Sequence, residues 1–255
     1  MLDRAYRNGI SVIGATNLLV ENTVVKNVNG TAQEAGVDIE PSLPVHPISN
    51  VTFRNCTAMN NAGHGFTVAL YMMNGKLPVS VHFENCSVVG GNGAGYELQA
   101  FMPTLSAGSV TIRGGSVEAT KNFGLLISNK AATSVPLRIS ELRLHNTATL
   151  SQAAFDKQMF VQGAGIPFGV QNTPLAIFYR PRGERTSYAE GNVVFDDIEV
   201  NDNQDRPWMQ IVGESHGMTH VNGTARVHNP HGCHVLRRNV TTSSTNVRAV
   251  CSECE

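Results

Sequence analysis

The chain has 255 residues, of which 41% are hydrophobic and 15% charged, and its formal net charge is -1. This near-neutral balance leaves no electrostatic footprint for nucleic acid or an anionic membrane surface, and no apolar run approaches the ~20 residues needed to cross a bilayer. Five cysteines, an odd number, do not spell out a disulfide framework, whereas 24 glycines among many Asn, Ser and Thr suit closely stacked strands joined by tight turns.

The opening stretch, Met1 to Arg7, carries no apolar leader of the signal-peptide kind. Because a repeat begins almost at once, a shortened N-terminus is expected. Five segments share one pattern: Gly9-Ile-Ser-Val-Ile13, Gly36-Val-Asp-Ile-Glu40, Gly65-Phe-Thr-Val-Ala69, Gly95-Tyr-Glu-Leu-Gln99 and Gly124-Leu-Leu-Ile-Ser128, their glycines 27, 29, 30 and 29 residues apart. A second set runs in step with it. Leu19-Val-Glu-Asn22, Thr52-Phe-Arg-Asn55, His82-Phe-Glu-Asn85 and Thr111-Ile-Arg-Gly114 follow at spacings of 33, 30 and 29. Two independent patterns holding one period identify a solenoid. The alternation within each segment has period 2, so each is a short strand. Val37 and Ile39, Phe66 and Val68, Tyr96 and Leu98, and Leu125 and Ile127 should point inward and stack. On this phasing, an Asp at inward Val68 should unfold the chain and an Asp at outward Thr67 should be tolerated. Asn22, Asn55 and Asn85 recur at the following turn, where amide side chains can tie coils together.

These repeats, with Asn-Cys-Thr/Ser followed by Asn-Ala-Gly-x-Gly, resemble the right-handed parallel β-helix repeat of the pectate-lyase-like superfamily, clearly over residues 7–145 and more loosely over 173–229. The resemblance implies an all-β, single-stranded right-handed parallel β-helix with coils of about 27–33 residues over residues 1–238. It also implies a habit of acting on polysaccharides outside the cell or at its surface, through lyases, glycoside hydrolases, uronate epimerases or phage tailspikes. The period breaks after Leu144, and residues 146–172, with Phe155, Phe160 and Gly163-Ala-Gly165, read as an inserted loop or lid. Strand patterns return at Leu175, Val193 and Trp208, and residues 239–255 read as a flexible tail.

Stacking puts equivalent residues in columns. One outward column is Ser11, Asp38, Thr67, Glu97, Leu126; the next is Ile13, Glu40, Ala69, Gln99, Ser128. A third is Ala15, Ser42, Tyr71, Phe101, Lys130, with Arg180 as its possible continuation. An exposed strand face would thus carry acids, aromatics and, at one edge, bases. Asp38 and Glu97 lie two coils apart, their backbones about 9.6 Å from each other at twice the strand spacing, near the separation at which inverting glycosidases hold a water; Glu40, on the same strand as Asp38, could serve instead. The favoured reading is therefore a glycoside hydrolase. An alternative is a calcium-assisted lyase or epimerase, with Asp38, Glu40, Glu97 and Gln99 as oxygen ligands, Lys130 or Arg180 as base and Tyr71 as proton donor. A non-catalytic glycan-binding or adhesin β-helix is the third reading. His64 could move protons near neutrality, and Gln99, Phe101 and Trp208 would contact sugar, Trp208 if Met209 and Ile211 face inward. Cys56 and Cys86, one coil apart, are expected as buried free thiols, with a disulfide as the alternative. The C-terminal His216, His220, His228, His231, Cys233, His234 and Cys251-Ser-Glu-Cys254 contain the elements of a zinc site without a standard spacing. The glycosylation sequons at Asn55 and Asn85 belong to the repeat and are expected to be buried.

Overall fold

The computed structural model describes residues 1–161, 169–179, 188–213, 217–240 and 245–252. Every coil contributes strands to three rows. The first row is an eight-stranded parallel sheet of Ile10–Val12, Val37–Ile39, Phe66–Ala69, Tyr96–Phe101, Leu125–Lys130, Leu175–Phe178, Met209–Val212 and Val235–Arg238. The second row stacks Ala15–Glu21, Ile48–Arg54, Val79–Glu84, Gly108–Arg113 and Leu137–Ser140. The third stacks Leu2–Asp3, Val24–Lys26, Thr57–Met59, Ser87–Val89, Ser116–Glu118 and Arg143–His145. The last two rows merge on the long strand Glu190–Asn201, which pairs with Met218–His228, which in turn pairs with Thr245–Ser252. The architecture is the expected parallel β-solenoid.

The register follows the sequence repeat: Ile10 pairs with Val37, Val37 with Phe66, Phe66 with Tyr96 and Tyr96 with Leu125. Inward positions form one continuous core containing Val37, Ile39, Phe66, Val68, Tyr96, Leu98, Leu125 and Ile127. Like side chains meet like in neighbouring coils. The rings of Phe66 and Tyr96 stack at 5.1 Å and those of Phe53 and Phe83 at 5.6 Å. A glycine opens each of the first five coils because the backbones approach closely there: a Cβ on Gly65 would lie 2.6 Å from the carbonyl oxygen of Gly95.

The corner between the second and third rows is made by Asn22, Asn55 and Asn85, all left-handed at φ of 51°, 51° and 52°. Asn is among the few residues that tolerate this conformation, and Asn55 Nδ2 donates to Asn22 Oδ1 at 3.4 Å. Asn55 and Asn85 are exposed at this corner rather than buried. A second amide pair, Asn50 Nδ2 to Asn17 Oδ1 at 2.8 Å, joins the first two coils.

Within the irregular stretch after Leu144, Gln152–Val161 is a helix whose Phe155 packs edge-on against Phe123 at 5.4 Å. With Val170 it joins Leu126, Ala176, Phe178 and Val212 in a second apolar cluster. The segment expected as a flexible tail instead supplies Thr245–Ser252, paired along its length with Met218–His228. Its alternating Thr245, Val247 and Ala249 explain why: they continue the period-2 pattern onto the core. Gly163-Ala-Gly165, Arg180, His216 and Cys254 lie outside the described residues, as does the side chain of Phe160.

Candidate active site

The column of Asp38 and Glu97 forms as its spacing requires, whereas in the next column Glu40 lies half-buried just past the end of Val37–Ile39 and only Ala69, Gln99 and Ser128 are in register. Asp38 pairs in register with Thr67, and Thr67 with Glu97; Ala69 pairs with Gln99, and Gln99 with Ser128. Their exposure differs from expectation. Asp38 is 3% exposed and Glu97 1%, and Thr67, Gln99 and Ser128 are equally buried. Polar side chains from the turns that precede the strands lean across the face. Asn8 Nδ2 donates to Asp38 Oδ2 at 2.8 Å, and His64 Nε2 lies 3.1 Å from Glu97 Oε2.

The two carboxyl groups sit in different electrostatic surroundings. Burial, reinforced by the neighbouring charge of Glu40, pushes Asp38 up to about 6, with the Asn8 amide and Arg7 pulling the other way and Glu97 adding a smaller upward push. Glu97 is approached by two N–H groups. Gln99 Nε2 donates to Glu97 Oε2 at 3.3 Å, and His64 contributes the other. The backbone N–H of Ala94 donates to His64 Nδ1 at 3.0 Å. That contact makes Nδ1 an acceptor and leaves Nε2 to donate to the carboxylate. Three buried polar atoms beside these groups, Asp38 Oδ1, Thr67 Oγ1 and Ser128 Oγ, have no hydrogen-bond partner among the described residues. Buried polar atoms are seldom left unpaired, and this group can take up hydroxyl groups of a ligand or water.

The third proposed column does not form as one outward line. Ala15 pairs with Ile48 in the second row, Ser42 lies in no strand, and Tyr71 sits half-exposed in the turn after Phe66–Ala69. Phe101 and Lys130 are in register with each other but buried, Phe101 as part of the core. The physical reason is local: Ala100 and Asn129 adopt left-handed φ of 62° and 52°, which breaks the period-2 alternation just before them. Lys130 Nζ donates to Ser134 Oγ at 2.8 Å and to the carbonyl of Ala131 at 3.1 Å, and burial alone pushes its ammonium group down to about 7. Trp208 is likewise no sugar platform: it is 1% exposed and packed in the main core beside Met209 and Ile211. Gln210 takes the outward place between them, but it is buried and bonded to Gln171 and Thr173.

Among the described residues, no three His, Cys, Asp or Glu side chains are grouped as a metal site would need, Asp38, Glu40 and Glu97 included. Cys233 is joined to Cys251 in a disulfide, which removes both from any zinc site. Cys56 and Cys86 are buried free thiols; their mutual influence lowers the thiol of Cys56 and raises that of Cys86.

Asn8 was not recognised from the sequence. It stands immediately before Gly9, as His64 stands before Gly65, and each reaches an acid two residues after the next coil's glycine. A polar residue before one coil's glycine and an acid two residues past the next would have found both pairs.

The fold is reflected in the comparison with known families, where the model of the right-handed β-helix region matches residues 2–150. No curated protein and no solved structure gives a significant match. The repeat period, the in-register parallel rows and a family match over more than half of the chain lead to one conclusion: this chain belongs to the right-handed β-helix proteins.

Proposed function

We propose that this chain is a carbohydrate-active β-helix enzyme that hydrolyses a glycan, with Asp38 as general acid and Glu97 as general base. The observation that carries the reading is the contrast within one column. Asp38 holds its proton up to about pH 6, while Glu97 is approached by the N–H groups of His64 and Gln99. Two carboxyl groups in unlike surroundings can divide acid and base roles. Backbones about 9.6 Å apart, twice the strand spacing, allow the carboxyl separation of a water-mediated inverting displacement. The unpartnered hydroxyls of Thr67 and Ser128 supply polar contacts for sugar hydroxyls.

A calcium-assisted lyase or epimerase is less well supported, since Lys130 is buried beside Phe101 and the acids do not converge. A non-catalytic glycan-binding β-helix is favoured by one observation, the near-complete burial of both carboxyl groups. The Cys233–Cys251 disulfide supports an extracellular or cell-surface location, because such bonds persist in oxidising compartments. Neutral and acidic polysaccharides should be screened for reducing-end release, with ultraviolet absorbance recorded for unsaturated uronate products. New reducing ends without that absorbance are expected. Unsaturated products would indicate elimination, and binding without turnover would favour the non-catalytic reading.

A further inference from the structure

We propose that a second ligand site, for a sugar bearing an anionic group, lies at the corner where the third strand row turns toward the next coil. A recess of about 430 Å³ opens there, within the size range of small-molecule sites. Its walls come from equivalent turns of successive coils: Asn27 and Asn29 from the first, Asn60 from the second, Asn92 from the third and Lys121 from the fourth. Four coils at the strand spacing extend about 14 Å, so the recess follows the stack as a short groove. It shares no lining residue with the Asp38–Glu97 column or with Asn8 and His64, and it does not depend on those acids being catalytic.

The lining is selective in its chemistry. It contains several carboxamides and one cation, and no carboxylate. Asn27 is committed to Asp3, its Nδ2 donating to Oδ1 at 2.9 Å. The side chains of Asn29, Asn60 and Asn92 make no hydrogen bond among the described residues, and Lys121 is exposed and makes no ion pair there. A carboxamide both donates and accepts, which matches the paired hydroxyls of a sugar ring. A lone ammonium group at the end of such a row selects a carboxylate or sulfate on that sugar. The backbone of Lys121 is fixed: its N–H donates to the Gly91 carbonyl at 3.0 Å, and its own carbonyl accepts from Leu150 N–H at 3.1 Å and Asn172 Nδ2 at 3.0 Å. The cation is therefore presented from a held position.

The test is an amide-resolved NMR titration of the full chain carrying Asp38→Asn, so that the probe is not consumed. The probes are a trimer of galacturonic acid, a sulfated disaccharide and, as neutral control, maltotriose. An anionic probe should move the amide signals of residues 27–29, 60–62 and 91–92, and the comparison of the two anionic probes shows which group Lys121 prefers. Adding Lys121→Ala should weaken that binding about tenfold, the loss of one charge-assisted contact, and Asn92→Ala should weaken it with either anionic probe. Shifts confined to residues 38, 67 and 97, equal binding of maltotriose, or unchanged affinity in Lys121→Ala would each overturn the proposal.

Discussion

Asn8 and His64, two coils apart, make the same pair of contacts. Each accepts a hydrogen bond from the backbone N–H one residue before the next coil's glycine, Ala35 at 3.2 Å and Ala94 at 3.0 Å. Each then holds the acid that follows that glycine, Asp38 at 2.8 Å and Glu97 at 3.1 Å. The equivalence predicts separable effects on the two carboxyl groups. Asn8 lowers the Asp38 carboxyl against the dominant upward push of burial, so Asn8→Ala should raise it beyond about 6. Carboxyl-carbon NMR across pH 3 to 9 would follow it directly. An unmoved or lowered Asp38 would show that the amide does not stabilise the ionised form.

If Asp38 is the general acid, it must carry a proton. Turnover should therefore fall as pH rises through about 6, and Asn8→Ala should move that limb upward. Asp38→Asn and Glu97→Gln should each reduce turnover by a factor of about 100 or more, because an amide keeps the shape of a carboxyl group but cannot exchange the proton. His64→Ala should lower kcat more than it raises KM if the ring acts by orienting Glu97. Rates retained in both carboxyl variants would move the chemistry away from this column.

Removing the Asp38 carboxyl also changes stability, with a sign opposite to its effect on activity. Its folded-state value of about 6 lies above the ordinary 3.8. Its contribution is therefore fully present below about pH 4 and lost as pH rises through 6, where the buried group must ionise. A two-unit shift corresponds to about 3 kcal/mol at most. Asp38→Asn should thus resist urea better than the parent chain at pH 8, with the difference vanishing near pH 3.5. Equal midpoints at both pH values would mean that Asp38 is not desolvated.

The period of the coils, the inward columns and the pairing of Asp38 with Thr67 and Glu97 were all legible, because they depend only on spacing and on alternation in strands. The burial of those columns was not. It arises from Asn8, His64, Phe155 and Val170, turn and insertion residues whose positions no strand periodicity encodes. The inward turn of Phe101 and Lys130 was hidden for another reason: Ala100 and Asn129 adopt a conformation that composition does not announce, although Asn at 129 tolerates it readily.

The same burial changes what Thr67 will tolerate. Val68 is buried in the core, and Val68→Asp should unfold the chain. Thr67→Asp was expected to be harmless on an open face. In the folded chain Thr67 is 0% exposed and stands between Asp38 and Glu97 in register. A third acid there meets two like charges in a desolvated column, so Thr67→Asp should cost about 3 kcal/mol or more at pH 8, and less at pH 4. Thr67→Val, which removes an unpaired buried hydroxyl, should be neutral or stabilising. Urea midpoints of the three variants at the two pH values would check the order.

Lys130 offers a prediction that separates a structural lysine from a catalytic base. Its ammonium group is lowered from an ordinary 10.5 to about 7 by burial alone, and its Nζ stands 5.7 Å from the centre of the Phe101 ring. The unfolded chain therefore binds more protons than the folded one between about pH 7 and 10.5, and stability should rise with pH across that window. Lys130→Met keeps a long, flexible side chain against Phe101 and removes the buried charge. Ser134 keeps its hydrogen bond to the Ala131 carbonyl at 2.7 Å. After allowing for the lost contacts of Nζ, the variant should gain roughly 2–4 kcal/mol at pH 7, with the gain shrinking toward pH 10. Turnover should be unchanged in a hydrolase that uses Asp38 and Glu97. A destabilised Lys130→Met would show that the charge is compensated, and a stable but inactive one would return Lys130 to the reaction as a base.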